Sequence, residues 1–274
     1  MLCMEKNTGT EYDTGMPRNY VTQGIVFSIR PQGENNSSVG FVTKDTGLVY
    51  ATLYGGPKSR LRSLVSQWNS GTAYFYCKEN SDSSRNVKIT DFDVQNYHMS
   101  FRESLYKTYA ASLAAELALK TKCAGSNEKC WYLLSGFLDG LDLSAGRQCE
   151  TGLVRFLWRY LDLLGIRPDV SRCILCGREF FTGNSIGDRV SYNAVENGFV
   201  CSSCAGQDRS TCTFMLSIEA ARYLYAVSEL TPAEVRVLPL SDDSLSEIKR
   251  LVFFLAGQAA GTKLKTLETG IGIL

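Results

Sequence analysis

The stretch YVTQGIVFSIRPQGENNSSVGFVTKDTGLVYATLY, residues 20–54, decides how the N-terminal part of the chain folds. Residues 21–27 are rich in β-branched side chains, and Pro31-Gln32-Gly33-Glu34-Asn35-Asn36 supplies a turn. Residues 39–43 form a second β-rich run. Lys44-Asp45-Thr46-Gly47 then turns the chain into a third, residues 48–54. Beyond an interruption at residues 57–65, which suits a short helix, residues 72–77 and 87–94 read as two more strands. Five strands with a helix between the third and fourth is the layout of an OB-fold barrel. The expected class is therefore α+β and multidomain, with an N-terminal five-stranded OB-fold domain over residues 17–96.

After Tyr97 the hydrophobic period lengthens. Leu105, Tyr109, Leu113 and Leu117 recur every four residues, and Trp131, Leu134, Leu138 and Leu141 every three or four. Leu153, Phe156, Leu157, Tyr160 and Leu164 make another apolar face, ended by Gly165 and Pro168. A further helix is expected over residues 214–227. Ser244-Leu245-Ser246-Glu247 reads as a capping box opening a last helix through Leu255. These segments predict a helical domain over residues 97–274, interrupted by an inserted module at 171–206.

That insert carries the clearest chemistry. Cys173-Ile174-Leu175-Cys176 and Cys201-Ser202-Ser203-Cys204 are separated by 24 residues. Two-residue gaps let both sulfurs of a tight turn reach one ion, and two such turns face to face make a closed tetrahedral thiolate site. The expected occupant is one structural Zn²⁺ held by Cys173, Cys176, Cys201 and Cys204, with no open position for catalysis. A hairpin should join the pairs, with Phe199-Val200 as a strand and Asn184, Gly187 and Gly198 as turn residues. Arg172 and Arg178 flank the first pair and can offset thiolate charge. The remaining cysteines show no comparable spacing.

Composition excludes several classes. The 274 residues carry 29 Lys and Arg against 28 Asp and Glu, for a formal net charge of +1, so a basic binding surface must be a local asymmetry. With one histidine, His98, no His-rich metal site or HExxH protease is possible. His98 sits at the domain junction and reads as structural. No phosphate-cradling glycine loop and no nucleophile elbow occurs, so neither enzymatic activity nor a nucleotide cofactor is expected. Residues 1–15 are polar and do not read as an export signal. No apolar run approaches the ~20 residues of a membrane span. The expectation is a cytoplasmic protein without a membrane partner.

Positive charge does concentrate. Residues 46–78 contain no Asp or Glu but do contain Lys58, Arg60, Arg62 and Lys78, beside Tyr50, Tyr54, Tyr74 and Tyr76. Residues 248–267 are also acid-free, with Lys249, Arg250, Lys263 and Lys265. Cations that follow phosphates, and rings that stack on bases, are what single-strand binding needs. A solvated barrel face explains the first window equally well, and so do core tyrosines.

The order barrel, helices, four-cysteine insert, helices resembles the bacterial RecO family of recombination mediators. Gly24-Ile25-Val26 with Arg30-Pro31-Gln32-Gly33-Glu34 looks like the family's opening strand and turn, and residues 41–49 resemble its second hairpin. Gly56-Pro57-Lys58-Ser59-Arg60-Leu61 is similar to its basic segment. Residues 153–169 resemble the helix leading into its zinc module, and Gly261-Thr262-Lys263-Leu264-Lys265-Thr266-Leu267 its terminal signature. The resemblance implies a nucleoid-associated DNA-repair protein that binds single- and double-stranded DNA and anneals complementary strands. It also implies help in loading RecA onto DNA covered by single-strand-binding protein, together with RecR and through that protein's acidic tail. Lys58, Arg60 and Arg62 become the expected DNA contacts, with Arg18, Arg30 and Lys44 secondary. Where the family tends to carry extra arginines, this chain has Tyr54-Gly55-Gly56. A zinc-ribbon module acting on RNA or the ribosome is the competing reading.

Overall fold

The computed structural model describes residues 19–56, 59–79, 85–181, 189–206 and 212–274. The predicted strands are β1 (Asn19–Gln32), β2 (Asn36–Thr43), β3 (Gly47–Leu53), β4 (Ser70–Glu79) and β5 (Arg85–Asn96), with α1 (Arg60–Leu64) between β3 and β4. They close into a barrel in the order β1-β2-β3-β5-β4. Period-2 alternation turns Val26, Phe41, Phe75 and Phe92 inward. The Phe41 ring meets Phe75 and Phe92 edge-on, at 5.2 and 5.7 Å between centroids. Closure needs a close backbone pass at Gly71, where a Cβ would lie 2.0 Å from the Asp93 carbonyl oxygen.

The other barrel wall joins the helices. Ile25, Phe27, Val42 and Trp68 share one continuous core with Phe101, Leu134, Leu138 and Trp158. Trp68 adopts φ 75°, a costly conformation for a bulky residue. It is held by Trp68 N–H donating to the Val26 carbonyl (2.9 Å) and Val26 N–H donating to the Asn69 carbonyl (3.0 Å). His98 is buried beneath it. Its Nδ1–H donates to the Trp68 carbonyl at 2.7 Å, and Nε2 lies 2.9 Å from the Asp139 carboxylate. Lys107, also buried, donates to Ser100 Oγ and the Asp142 carbonyl at 2.9 and 2.8 Å.

The helices follow: α2 (Leu105–Lys120), α3 (Asn127–Leu143), α4 (Arg147–Leu163), α5 (Ser202–Ala205), α6 (Ile218–Glu229), α7 (Pro232–Arg236), α8 (Asp242–Ala260) and α9 (Lys265–Thr269). A second sheet, β7-β6-β8, is built from β6 (Arg189–Asn193), β7 (Gly198–Cys201) and β8 (Cys212–Ser217). Two expectations are corrected here. Residues 214–217 are strand, because they pair with β6; the helix begins at Ile218, capped by Ser217. Ser244 does not open the last helix either. Ser241 is its N-cap, while Ser244 Oγ donates to Glu219, and Glu247 accepts from Arg189 and the Ser217 N–H. These partners lie on other elements, beyond the reach of a local pattern. A capping box does form at Thr231 and Glu234. Among the described residues no helix is long and apolar enough to cross a membrane.

The five-residue α9 cannot hold itself by propagation alone. Glu116 of α2 accepts from the Lys265 and Thr266 N–H groups, both at 2.9 Å. Burial pushes its carboxyl up, but these bonds outweigh that and hold it below the ordinary carboxylate range. The resulting stabilisation is complete above the ordinary pKa of about 4.3 and is lost as pH falls through the lower folded value. Glu116→Gln should therefore lower the melting temperature at pH 7 and flatten its decline toward pH 3. Thermal denaturation followed by circular dichroism across that range checks this; an unchanged pH slope would contradict it.

Candidate metal centre and nucleic-acid interface

The insert brings its four cysteines together. Cys173 opens a knuckle in which Cys173 N–H donates to the Arg178 carbonyl and Gly177 N–H to the Cys173 carbonyl, each at 2.8 Å. Gly177 turns the chain at φ 71°. The knuckle lies against β7, where Ile174 N–H donates to the Phe199 carbonyl at 2.9 Å. A Cβ on Gly198 would sit 2.3 Å from Ile174, so this approach needs glycine. Strand β7 ends at Cys201, and α5 returns Cys204 to the same point. Asn184 and Gly187, expected as turn residues, lie outside the described residues.

All four Sγ atoms lie within 4.8 Å of one another, with Cys176 and Cys201 at 3.9 Å. A tetrahedron of sulfurs about 2.3 Å from its centre has edges of about 3.8 Å, so the cluster fits a metal ion. Burial opposes the Cys173 thiolate, but N–H groups of Cys201, Cys176 and Leu175 bring its pKa down to about 7. Cys204, sharing thiol hydrogens with Cys201 and Cys176, is pushed up to about 12. The sulfurs thus compete for protons, which a dication would displace. Arg172 is bound to Asp169 at 3.0 Å and does not serve the cluster as a free charge.

The predicted basic residues separate. Arg18 and Lys58 lie outside the described residues. Arg30 and Arg60 are exposed and make no ion pair with a described residue. They belong to the end of the barrel remote from the helices, with the β1–β2 turn and α1. Arg62 organises that end, donating to the Gly55 carbonyl (2.9 Å), the Asn35 carbonyl (3.3 Å) and Ser37 Oγ (3.2 Å). Lys44 sits at the opposite end, 3.7 Å from Glu128 and 5.0 Å above the Tyr132 ring, where the β2–β3 turn docks on α3. In the second acid-free window, Lys249 pairs with Glu150 and Lys263 with Glu268.

Two basic features went unread in the sequence. Lys88 on β5 is exposed at the Arg30 end, its Nζ 5.4 Å from the Tyr54 ring. A groove of about 450 Å³ between α3 and α4 gathers Arg155, Arg159 and Arg236 beside Leu133, Phe137 and Phe156. None of the three arginines has a carboxylate partner among the described residues. Burial, then Arg155 and Arg167, depress the Arg159 guanidinium. Arg155 and Arg159, one turn apart, were visible as a charged stripe on α4; Arg236 comes from a distant helix.

Comparison with known proteins places these features. A DNA repair protein RecO of an Exiguobacterium species is 25% identical over 247 residues, covering 89% of this chain and 92% of the relative. The RecO of Symbiobacterium thermophilum is 25% identical over 253 residues, covering 91% and 95%. That of Moorella thermoacetica is 29% identical over 195 residues, covering 70% and 68%. Residues 102–268, from the barrel's exit through the cysteine insert to α9, match the family model described as Recombination protein O C terminal. With a closed barrel ahead of that region and a four-cysteine cluster within it, the chain belongs to the RecO family.

Proposed function

We propose that the chain is a DNA-binding recombination mediator. It anneals complementary single strands and helps load RecA onto DNA covered by single-strand-binding protein, together with RecR. The observation that carries this reading is the unpaired positive charge at the free end of a closed five-stranded barrel, in a member of a DNA-repair family. Annealing needs no bond cleavage: neutralising phosphates lowers the repulsion between two strands and holds them close. Arg30, Arg60 and Lys58 are assigned to phosphates. Arg62 positions the loops between them, and Lys44 fastens the barrel to α3. Arg18 remains a secondary contact. Complementary oligonucleotides should anneal faster with the protein, by a factor that falls as salt rises. Arg30→Ala/Arg60→Ala should reduce the logarithmic salt slope of binding by about two. No acceleration, with tight binding to structured RNA, would replace this reading by an RNA-binding module.

Cys173, Cys176, Cys201 and Cys204 are proposed to hold one Zn²⁺. Four thiolates leave no position for water, so the ion would supply cohesion between the knuckle and β7, and no reaction step. Purified protein should contain one zinc per chain, with X-ray absorption showing four sulfurs at about 2.3 Å. A mercurial should release the ion and expose residues 171–206 to protease. A preparation with full annealing activity and no stoichiometric metal would refute the assignment.

The α3–α4 groove suits the acidic tail of single-strand-binding protein, since unpaired arginines stand beside an apolar wall. A labelled tail peptide should bind, and Arg155→Glu or Arg236→Glu should weaken it at least about tenfold, as loss of a charged hydrogen bond requires. Equal binding by the wild type and both variants would place the tail elsewhere.

A further inference from the structure

Charge changes sign along β5. Lys88 is exposed toward the free end of the barrel, whereas Asp91 and Asp93 are exposed toward the helices. Directly paired residues share a sheet face, so the register defines which side chains line up. Arg30 opposes Ser38, Ser38 opposes Thr52, Thr52 opposes Lys88, and Lys88 opposes Tyr76. This outward row crosses the seam where β3 and β5 close the barrel and contains no carboxylate. Just past the end of β3, Tyr54 is 44% exposed, and Lys88 Nζ stands 5.4 Å from its ring centroid. Tyr74 has a different neighbour: it opposes Asp91.

An exposed ammonium over a tyrosine ring is a weak, exchangeable contact in water. A phosphate can take the ammonium, and an unstacked base can take the ring. We infer that the β3–β5 seam is a base-stacking site for single-stranded DNA, with Tyr54 and Tyr76 offering rings while Lys88 and Arg30 neutralise the flanking phosphates. This rests on the DNA-binding reading above and adds strand selectivity to it. Duplex bases are already stacked and cannot reach the rings, so the seam favours single strands. Tyr74, although exposed, stays outside the site because Asp91 repels the backbone there.

Binding of the full chain to fluorescent oligothymidylate and to duplex DNA, by anisotropy across a salt series, tests this. Tyr54→Ala and Tyr76→Ala should each weaken oligothymidylate binding about tenfold, with little change for duplex. Tyr54→Phe should recover most of the loss. Lys88→Ala should lower the salt slope by about one, and Tyr74→Ala should change nothing. Photocrosslinking of 5-iodouracil oligonucleotides should label Tyr54 or Tyr76. Denaturant midpoints matching the wild type keep these comparisons free of folding effects. If the Tyr54 and Tyr76 variants bind like the wild type, or Tyr74→Ala loses as much, the seam is not the site and DNA binding stands. If the wild type ignores oligothymidylate even in dilute buffer, both readings fall.

Discussion

His98 is held between the Trp68 carbonyl and the Asp139 carboxylate, 2.7 and 2.9 Å away, and this buried contact fastens the barrel to the helices. Removing the ring would leave the buried Trp68 carbonyl without its donor, at a cost of about 1–3 kcal/mol, while the half-exposed Asp139 carboxylate would keep its bond from Asn96. The same junction keeps Trp68 in its left-handed conformation between Phe27 and Phe101. With one wall of the barrel committed to the helices, its far end is left exposed among the described residues. Lys44, at the committed end, therefore works inside the molecule, while Arg30, Arg60 and Lys88 face solvent.

The cysteine insert is fastened by a parallel logic. Its sheet is tied to α8 by Glu247, which accepts from Arg189 of β6 and from the N–H of Ser217 at the end of β8. The four sulfurs then close the other edge of the module. A small sheet of this kind buries too little apolar surface to be rigid alone, and a structural metal is a common remedy. An ion held by those sulfurs would serve the same purpose as the Glu247 contact, from the other side.

A net charge of +1 conceals a strongly uneven surface. Carboxylates neutralise Lys44, Lys249 and Lys263, whereas Arg30, Arg60 and Lys88 at the barrel's free end and Arg155, Arg159 and Arg236 in the α3–α4 groove make no ion pair with a described residue. The proposed nucleic-acid contact and the proposed acidic-segment contact thus fall at separate places.

Much of this was legible in the amino-acid sequence. Strand alternation, the turns at residues 31–36 and 44–47, helical periodicity and the paired CxxC motifs each arise from neighbours within a few residues. They identified the barrel, the helices and the thiolate cluster, and they carried the family resemblance. The misreadings have one origin. Phe214–Ser217 became strand because β6 offered pairing, and Ser244 and Glu247 left a plausible capping box for partners on other elements. Tertiary structure likewise decided which basic residues are free: local composition cannot tell Lys44, which is matched by Glu128, from Arg60, which is not. Short-range periodicity is written in the chain; the pairing of distant charges exists only after the chain has folded.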